Sequence, residues 1–216
     1  MTTADNKVIH QPIIERLHIM AMKNWSLQTR FLHIGLVLTV TAQLFISLVM
    51  TAPDHKGSAF SKLAFEAHEF IGLSALTIVL LHWAWSVYSQ ADGGLRRLFP
   101  VSAQDRGQLI QEMNALKAGK LPSVESKGGL IGLVHGLGLL AVTGMAVTGG
   151  FLFVLFPEVG EPGAVAEAFA EVHEGIATLV WTYWVGHGGM ALIHHAKGQD
   201  VLRKMFDFRG RYTYHG

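Results

Sequence analysis

Four long stretches of this chain contain no Asp, Glu, Lys or Arg, and they constrain its fold more than any other feature. They cover residues 31–53, 70–91, 128–157 and 175–196, so that each holds at least 22 residues. A membrane-spanning helix needs about 20 consecutive, mostly apolar residues. Only 15% of the chain is charged, against about 25% in a typical soluble domain. The sequence therefore predicts an all-α integral membrane protein, a bundle of four spanning helices.

The basic residues lie on one side of these spans. Fifteen of the 17 Lys and Arg residues fall in the N-terminal segment 1–30, the loop 91–127 or the tail 197–216. The other two, Lys56 and Lys62, lie between spans one and two, and the loop after span three is acidic. Because Lys and Arg accumulate in cytoplasmic loops, both termini and the 91–127 loop are predicted to be cytoplasmic, in a bacterial inner membrane.

The loop 91–127 belongs to a four-span domain that covers residues 31–196. Ser102 followed by Asp105 is typical of a helix start, and Gly119 is suited to a helix end. Between them, apolar residues recur at helical spacing: Leu109, Ile110, Met113 and Leu116. We expect an extra amphipathic helix on the cytoplasmic surface between spans two and three. It would either cover the bundle or serve as a docking surface.

The chain has no cysteine and 12 histidines. The absence of cysteine excludes disulfides, thiolate metal sites, iron–sulfur clusters and c-type haem attachment. The formal net charge is +1, whereas a nucleic-acid-binding domain is strongly basic, so no nucleic-acid partner is expected. Histidine is therefore the main soft metal ligand available. Histidines inside the spans are functional candidates, because ionisable residues are costly in hydrocarbon.

Two spans each carry a pair of histidines 14 residues apart: His68 and His82 in span two, His173 and His187 in span four. Fourteen residues make about 3.9 helical turns and a rise of about 21 Å. The two members of a pair therefore project from nearly the same face at two depths. Because the two spans run in the same direction, His68 and His173 share an outer level, and His82 and His187 share an inner one. His33 also lies near the cytoplasmic end of its span.

Two imidazoles that face each other at one level suit a six-coordinate haem b, which needs no cysteine. Two levels predict two non-covalent haems b. Zinc sites gather three or four ligands around one point, so zinc fits this arrangement poorly. Several glycines would either give a porphyrin room or allow close helix packing. They are Gly35, Gly72, Gly186 and Gly188 beside histidines, and Gly128, Gly132 and Gly136 along span three.

The chain resembles the bacterial dihaem cytochrome b561 family, which is related to the membrane gamma subunits of formate dehydrogenase. The resemblance covers all four spans, from about residue 30 to residue 205. Its most specific part is span four, "VHEGIATLVWTYWVGHGGMALIHH", followed by "QDVLRKMF". Span one, "RFLHIGLVL", and span two, "FEAHEFIGLSAL", match the family's ligand-bearing spans. Span three, "LVHGLGLLAVTGMAVTGG", resembles the span whose histidine is usually not a ligand.

The resemblance implies a ligand set for each haem iron. The outer haem would be held by His68 and His173, and the inner haem by His33 and His187. The chain departs from the family at His82, where many relatives have a basic residue. Geometry alone slightly favours His82 over His33 as the partner of His187, because spans two and four would then hold both haems. The resemblance favours His33, because relatives without a histidine at that place still bind two haems.

The remaining candidates lie near the inner haem. The resemblance implies that His135, His194 and His195 are not ligands, and that they contact haem propionates or a quinone or simply lie at the interface. Arg30 is expected to meet an inner propionate. A quinone site is expected where the N-terminal segment, span one and the end of span four meet, with Trp25, Arg30, His194 and His195 as candidates.

These features predict a membrane cytochrome that transfers electrons between the quinone pool and a periplasmic oxidoreductase or cytochrome. Substrate chemistry would belong to that partner, so whether the chain is itself an enzyme stays open. The alternative is a stand-alone superoxide:quinone oxidoreductase of the same family. Superoxide is an anion and is attracted by positive charge, which the outer side of this chain offers only sparsely. A channel is a third possibility, but the spans have few polar residues besides the histidines.

Overall fold

A computed structural model describes residues 25–51, 56–89, 94–120, 129–156, 162–206 and 208. These described ranges contain helices and no strand. The predicted segment 1–30, the loop 91–127 and the tail 197–216 lie partly outside them, as do Gly128 and the residues of the acidic loop at 157–161.

Seven helices follow one another within the described ranges. In chain order they are α1 (Leu27–Ile46), α2 (Ala59–Tyr88), α3 (Gly94–Leu98), α4 (Ala103–Lys117), α5 (Gly129–Leu155), α6 (Ala164–Ala196) and α7 (Val201–Phe206). Four of them, α1, α2, α5 and α6, are long and apolar enough to cross a membrane. The all-helical architecture with four membrane-length helices agrees with the fold expected from the sequence.

Serine side chains mark where several helices begin. Ser26 accepts a hydrogen bond from the backbone N–H of Thr29 at the start of α1, and Ser58 does the same for Ser61 at the start of α2. Ser102 and Asp105 form a reciprocal capping box at the start of α4. Such caps satisfy backbone N–H groups that have no partner within the helix. Helix α4 therefore lies within the loop where a helix was expected, while its amphipathic character and its position on the cytoplasmic surface stay predictions.

Helix α6 is too long to lie wholly inside a bilayer. Its 33 residues span about 50 Å, whereas the hydrocarbon core of a membrane is about 30 Å thick. The extra turns are at its N-terminal end, where Glu167, Glu171 and Glu174 precede the uncharged stretch. The helix therefore begins outside the apolar layer, and His173 lies near its outer boundary.

The four long helices form a bundle with a small apolar core. Helix α1 packs on α2, α2 packs on α5, and α5 packs on α6. The buried core consists of one or two residues from each: Leu44, Val79, Leu139, Val142 and Val180. Many other large apolar side chains are exposed on the outside of the bundle, as expected for surfaces that face lipid.

Tryptophan–threonine hydrogen bonds join neighbouring helices. The indole N–H of Trp83 on α2 donates to Thr143 Oγ1 on α5 at 2.8 Å. In the same way Trp85 on α2 donates to Thr29 on α1, and Trp184 on α6 donates to Thr41 on α1, both at 2.9 Å. The last bond closes the bundle, because it joins the first long helix to the last. Hydrogen bonds between spanning helices contribute on average about 0.6 kcal/mol each, so they act mainly by fixing register.

The short helices between spans two and three lie against α5. The backbone carbonyls of Arg97 and Leu98 sit so close to Gly132 and Gly136 that a Cβ on either glycine would collide with them. Glu112 on α4 accepts a hydrogen bond from the backbone N–H of Leu130, in the first turn of α5. The glycine stripe of span three therefore serves close packing at Gly132 and Gly136, and the contacting element is the loop backbone.

Candidate functional site

The structure brings His68 of α2 and His173 of α6 together near the outer end of the bundle. Their ring centres are 6.3 Å apart and their planes are inclined by 79°. His173 Nδ1 lies 2.8 Å from the hydroxyl oxygen of Thr148 on α5. The side-chain amide of Gln43 donates to the backbone carbonyl of His68 at 2.5 Å, which ties α1 to α2 at this level.

His33 of α1 and His187 of α6 meet at the inner level. Their ring centres are 6.2 Å apart and their planes are inclined by 66°. His187 is also flanked by the ring of His135 on α5, at 4.9 Å between centres, and by the stacked ring of Tyr183, at 5.1 Å. His82 forms no ring contact with His187 in the described structure, and its Nδ1 lies 3.3 Å from Ser86 Oγ.

Both ring pairs have the dimensions of a metal site with two imidazole ligands. An imidazole nitrogen lies about 2 Å from a bound metal ion, so an ion between two rings separates their centres by roughly 6 Å. The observed separations of 6.3 and 6.2 Å agree with this value. In addition, the buried Nδ1 atoms of His33 and His68 have no hydrogen-bond partner in the described structure. Unpartnered buried polar atoms are uncommon and often mark functional sites.

The glycines near these histidines fall into two groups. A Cβ on Gly35 would meet Ile78 at 3.2 Å, and a Cβ on Gly72 would meet the amide nitrogen of Gln43 at 2.8 Å. Those two glycines therefore make room for protein side chains. A Cβ on Gly186 or Gly188, which flank His187, would meet no protein atom within 4 Å. Gly186 is exposed on the outside of the bundle, and room for a planar cofactor beside His187 stays a prediction.

The C-terminal end of the described chain covers the His33 side of the inner pair. Arg30 is buried, and its Nε donates to the backbone carbonyl of Met205 at 2.9 Å. The Arg30 guanidinium lies 4.3 Å from the ring centre of Phe208, and the Phe206 ring lies 6.4 Å from that of His33. The structure therefore places Arg30 beside the tail segment, within one turn of His33.

The double histidine at the end of α6 lies below the inner pair. His194 is buried, and its Nδ1 lies 2.8 Å from the side-chain oxygen of Gln199. The Nδ1 atom of His195 is buried, and no partner for it is present among the described residues. Neither ring forms a contact with His33 or His187 in the described structure.

A small, half-open cavity of about 40 Å³ lies between the start of α1, the end of α2 and α3. Its lining includes Trp25, His82, Trp85, Ser86 and Arg97. The Arg97 guanidinium stacks on the Trp25 ring, 3.7 Å from the ring centre. The walls are mostly apolar and aromatic, with a few polar groups.

Sequence reasoning did not identify the residues that position the two histidines of α6. Tyr183 stacks on His187, and Gly138 gives the Tyr183 ring its place, because a Cβ on Gly138 would overlap that ring. Thr148 and Gly149 contact His173 at the outer level. The position of Tyr183, four residues before His187, was visible in the sequence, but nothing distinguished Tyr183 from an ordinary lipid-facing aromatic residue.

Four membrane-length helices with paired histidines at two levels define a membrane protein of the b-type cytochrome class. The comparison with known families agrees: the profile of prokaryotic cytochrome b561 matches residues 24–208. The chain belongs to the prokaryotic cytochrome b561 family, as the sequence resemblance indicated. It is therefore a multi-pass bacterial membrane cytochrome that binds haem b and transfers electrons. No curated protein and no solved structure gives a significant match to the chain.

Proposed function

We propose that the protein carries two haems b and transfers electrons between the quinone pool and a periplasmic redox partner. The observation that carries this proposal is the pair of histidine contacts, at 6.3 Å in the outer level and 6.2 Å in the inner level. Haem iron accepts and donates single electrons when two imidazoles hold it. Two such sites at opposite ends of the bundle provide a path for electrons across the membrane.

His68 and His173 would hold the outer haem, and His33 and His187 would hold the inner haem. His33 is preferred to His82 because its ring faces His187 in the structure, whereas His82 Nδ1 lies 3.3 Å from Ser86 Oγ. Each ligand of a pair comes from a different helix, so the bundle holds the two rings apart at a fixed distance. Ligands held in this way need no rearrangement when the iron changes its oxidation state.

Replacement of single histidines tests this ligand set. Purified His68→Ala is expected to hold one haem per chain and to lose the outer low-spin spectral component, while His33→Ala loses the inner one. His82→Ala is the matched control, because it lies at the inner level and is expected to keep both haems. If His82→Ala loses the inner haem while His33→Ala keeps it, the inner assignment is wrong. A wild-type stoichiometry of one haem or none contradicts the two-haem proposal.

We propose that the quinone ring docks at the open mouth of the small cavity lined by Trp25, His82, Trp85 and Arg97. Thr29 also lines this cavity and lies one helical turn, about 6 Å, before His33 on α1. A quinone there is therefore close to the inner pair. The two indoles suit the flat faces of the ring, while His82, Ser86 and Arg97 suit its carbonyl oxygens. Arg30, His194 and His195 do not line this cavity, so of the earlier candidates only Trp25 is retained in this site.

Neighbouring arginines on α3 allow a matched test of this site. Arg97 lines the cavity and Arg96 does not. Arg97→Gln is expected to slow haem reduction by a quinol about tenfold, the loss of one hydrogen bond to a charged group. Arg96→Gln removes the same charge from the same helix and is expected to leave the rate unchanged. Haem content serves as the control for folding, and equal rates in the two variants would place the quinone elsewhere.

The proposed periplasmic partner is supported by the charge at the outer end of the bundle. The outer ends of α2 and α6 carry five carboxylates near the outer histidine pair: Glu66, Glu69, Glu167, Glu171 and Glu174. Such a surface attracts a basic protein face and repels superoxide, which makes the superoxide alternative the weaker one. Co-purification from native membranes at low salt tests the proposal. Recovery of the cytochrome alone, with no redox protein attached, counts against it.

A further inference from the structure

Thr148 lies on α5, the one long helix that supplies none of the four proposed ligands. It is buried, and its Oγ1 lies 2.8 Å from Nδ1 of His173. The direction of this hydrogen bond follows from the neighbouring carbonyls. The Thr148 hydroxyl also lies 2.7 Å from the backbone carbonyl of Gly144 and 3.1 Å from that of Met145, and a carbonyl can only accept.

A hydroxyl group has a single proton, and the carbonyl takes it. The Thr148 oxygen must therefore accept from His173, so that the proton of the imidazole is on Nδ1. The other ring nitrogen, Nε2, then carries the lone pair that a metal ligand needs. The hydrogen bond thus selects the tautomer in which His173 can bind iron.

The His173 ring is also held sterically from the same helix. A Cβ on Gly149 would lie 3.2 Å from Cε1 of His173, so the ring rests against the backbone of α5. Thr148 of α5 accepts the Nδ1 proton of His173, and the next residue, Gly149, leaves space for the ring. The inner ligand of α6 has different neighbours, because His187 contacts the rings of His135 and Tyr183. The two levels therefore differ in what surrounds the α6 histidine.

We propose that Thr148 is a positioning residue that lowers the midpoint potential of the outer haem through its hydrogen bond with His173. An imidazole that shares its Nδ1 proton with an acceptor is more basic at Nε2. A more basic axial ligand stabilises ferric iron relative to ferrous iron, and hydrogen bonding of this kind is one of the means by which a protein sets haem potential. The inference rests on the proposed ligation of the outer haem by His173.

Two substitutions separate the hydrogen bond from packing. Thr148→Val keeps the shape of the side chain and removes the acceptor, whereas Thr148→Ser keeps the acceptor and removes one methyl group. Spectroelectrochemical titration of the purified protein resolves the two haems as separate components. We expect the midpoint potential of one component to rise in Thr148→Val, and both potentials in Thr148→Ser to equal those of the wild type. The low-spin EPR signal of the same component should shift in the valine variant alone.

Three results would overturn the inference. They are unchanged potentials in Thr148→Val with both haems present, equal shifts in the valine and serine variants, and a shift in the inner component. If Thr148→Val fails to retain the outer haem, Thr148→Cys provides the comparison, because a thiol is a poor acceptor of about serine's size. An outer potential in the cysteine variant equal to that of the serine variant also refutes the role. Failure of the ligand set itself is recognised separately, because His173→Ala would then keep both haems.

Discussion

The tightest packing around the inner histidine pair is between Gly138 of α5 and Tyr183 of α6. A Cβ on residue 138 would overlap Cζ and Cε2 of the Tyr183 ring, and that ring stacks on His187 at 5.1 Å between centres. In Gly138→Ala the ring must therefore withdraw by about 1.5 Å to restore ordinary van der Waals contact. Because Tyr183 and His187 lie one turn apart on the same helix, the displacement reaches the proposed inner ligand.

The expected loss of haem affinity follows from the free-energy cost of overpacking. Inserting a methyl group into a packed interior costs about 1–3 kcal/mol. If the strain is relieved when the inner haem leaves, it appears as an affinity loss of about 5- to 150-fold, since each 1.4 kcal/mol is tenfold. We expect the inner haem of Gly138→Ala to transfer to excess apomyoglobin faster by a factor in this range. The outer haem should be lost at the wild-type rate.

Two further variants control for the loss of a glycine and for the proposed cause. Gly107→Ala lies within α4, where a Cβ would meet no atom within 4 Å, and is expected to leave haem loss unchanged. In a Tyr183→Leu background the alanine at 138 no longer meets a ring, so its effect should largely disappear. If Gly138→Ala costs as much in that background as in the wild type, the Tyr183 ring does not transmit the strain and the reasoning is refuted.

Three other outcomes are expected. Acid-acetone should extract all the haem, because the chain has no cysteine to attach it, and residual protein-bound haem after extraction would contradict this. A reporter fused after Gly216 should be active in the cytoplasm, because the basic residues lie on that side, and activity only in the periplasm would reverse the topology. Glu112→Ala should destabilise the loop by about 0.5–2 kcal/mol, as for a lost helix cap, and proteolysis at 91–127 should become faster than in Gln111→Ala.

The four spans could be predicted because their signal is local. A run of 22 or more uncharged residues is visible without knowing what lies beside it, and a helix has a fixed rise per residue. The same rise made the two levels of histidines predictable from the intervals in spans two and four. These predictions need only the geometry of single helices, which the surroundings alter little.

Which side chains of neighbouring helices face each other could not be predicted in this way. His33 and His82 both lie at about the depth of His187 in the bundle. Only the arrangement of the helices places His33 opposite His187. Thr148 and Tyr183 are ordinary residues of apolar helices until the neighbouring helix is known. The glycines of span three were compatible with a porphyrin or with close packing. The backbone carbonyls that pack against Gly132 and Gly136 come from the loop 91–127, and the sequence leaves the path of that loop open.

The use of α6 by both histidine pairs has a consequence for how the protein is made. His173 and His187 lie on α6, which is synthesised after α1 and α2, where their partners lie. Neither contact can form before α6 has been made, so we expect insertion of the proposed haems to follow its synthesis. A nascent chain interrupted before Ala164 contains no complete pair. If these pairs hold the haems, the α6 segment is what turns three apolar helices into an electron carrier.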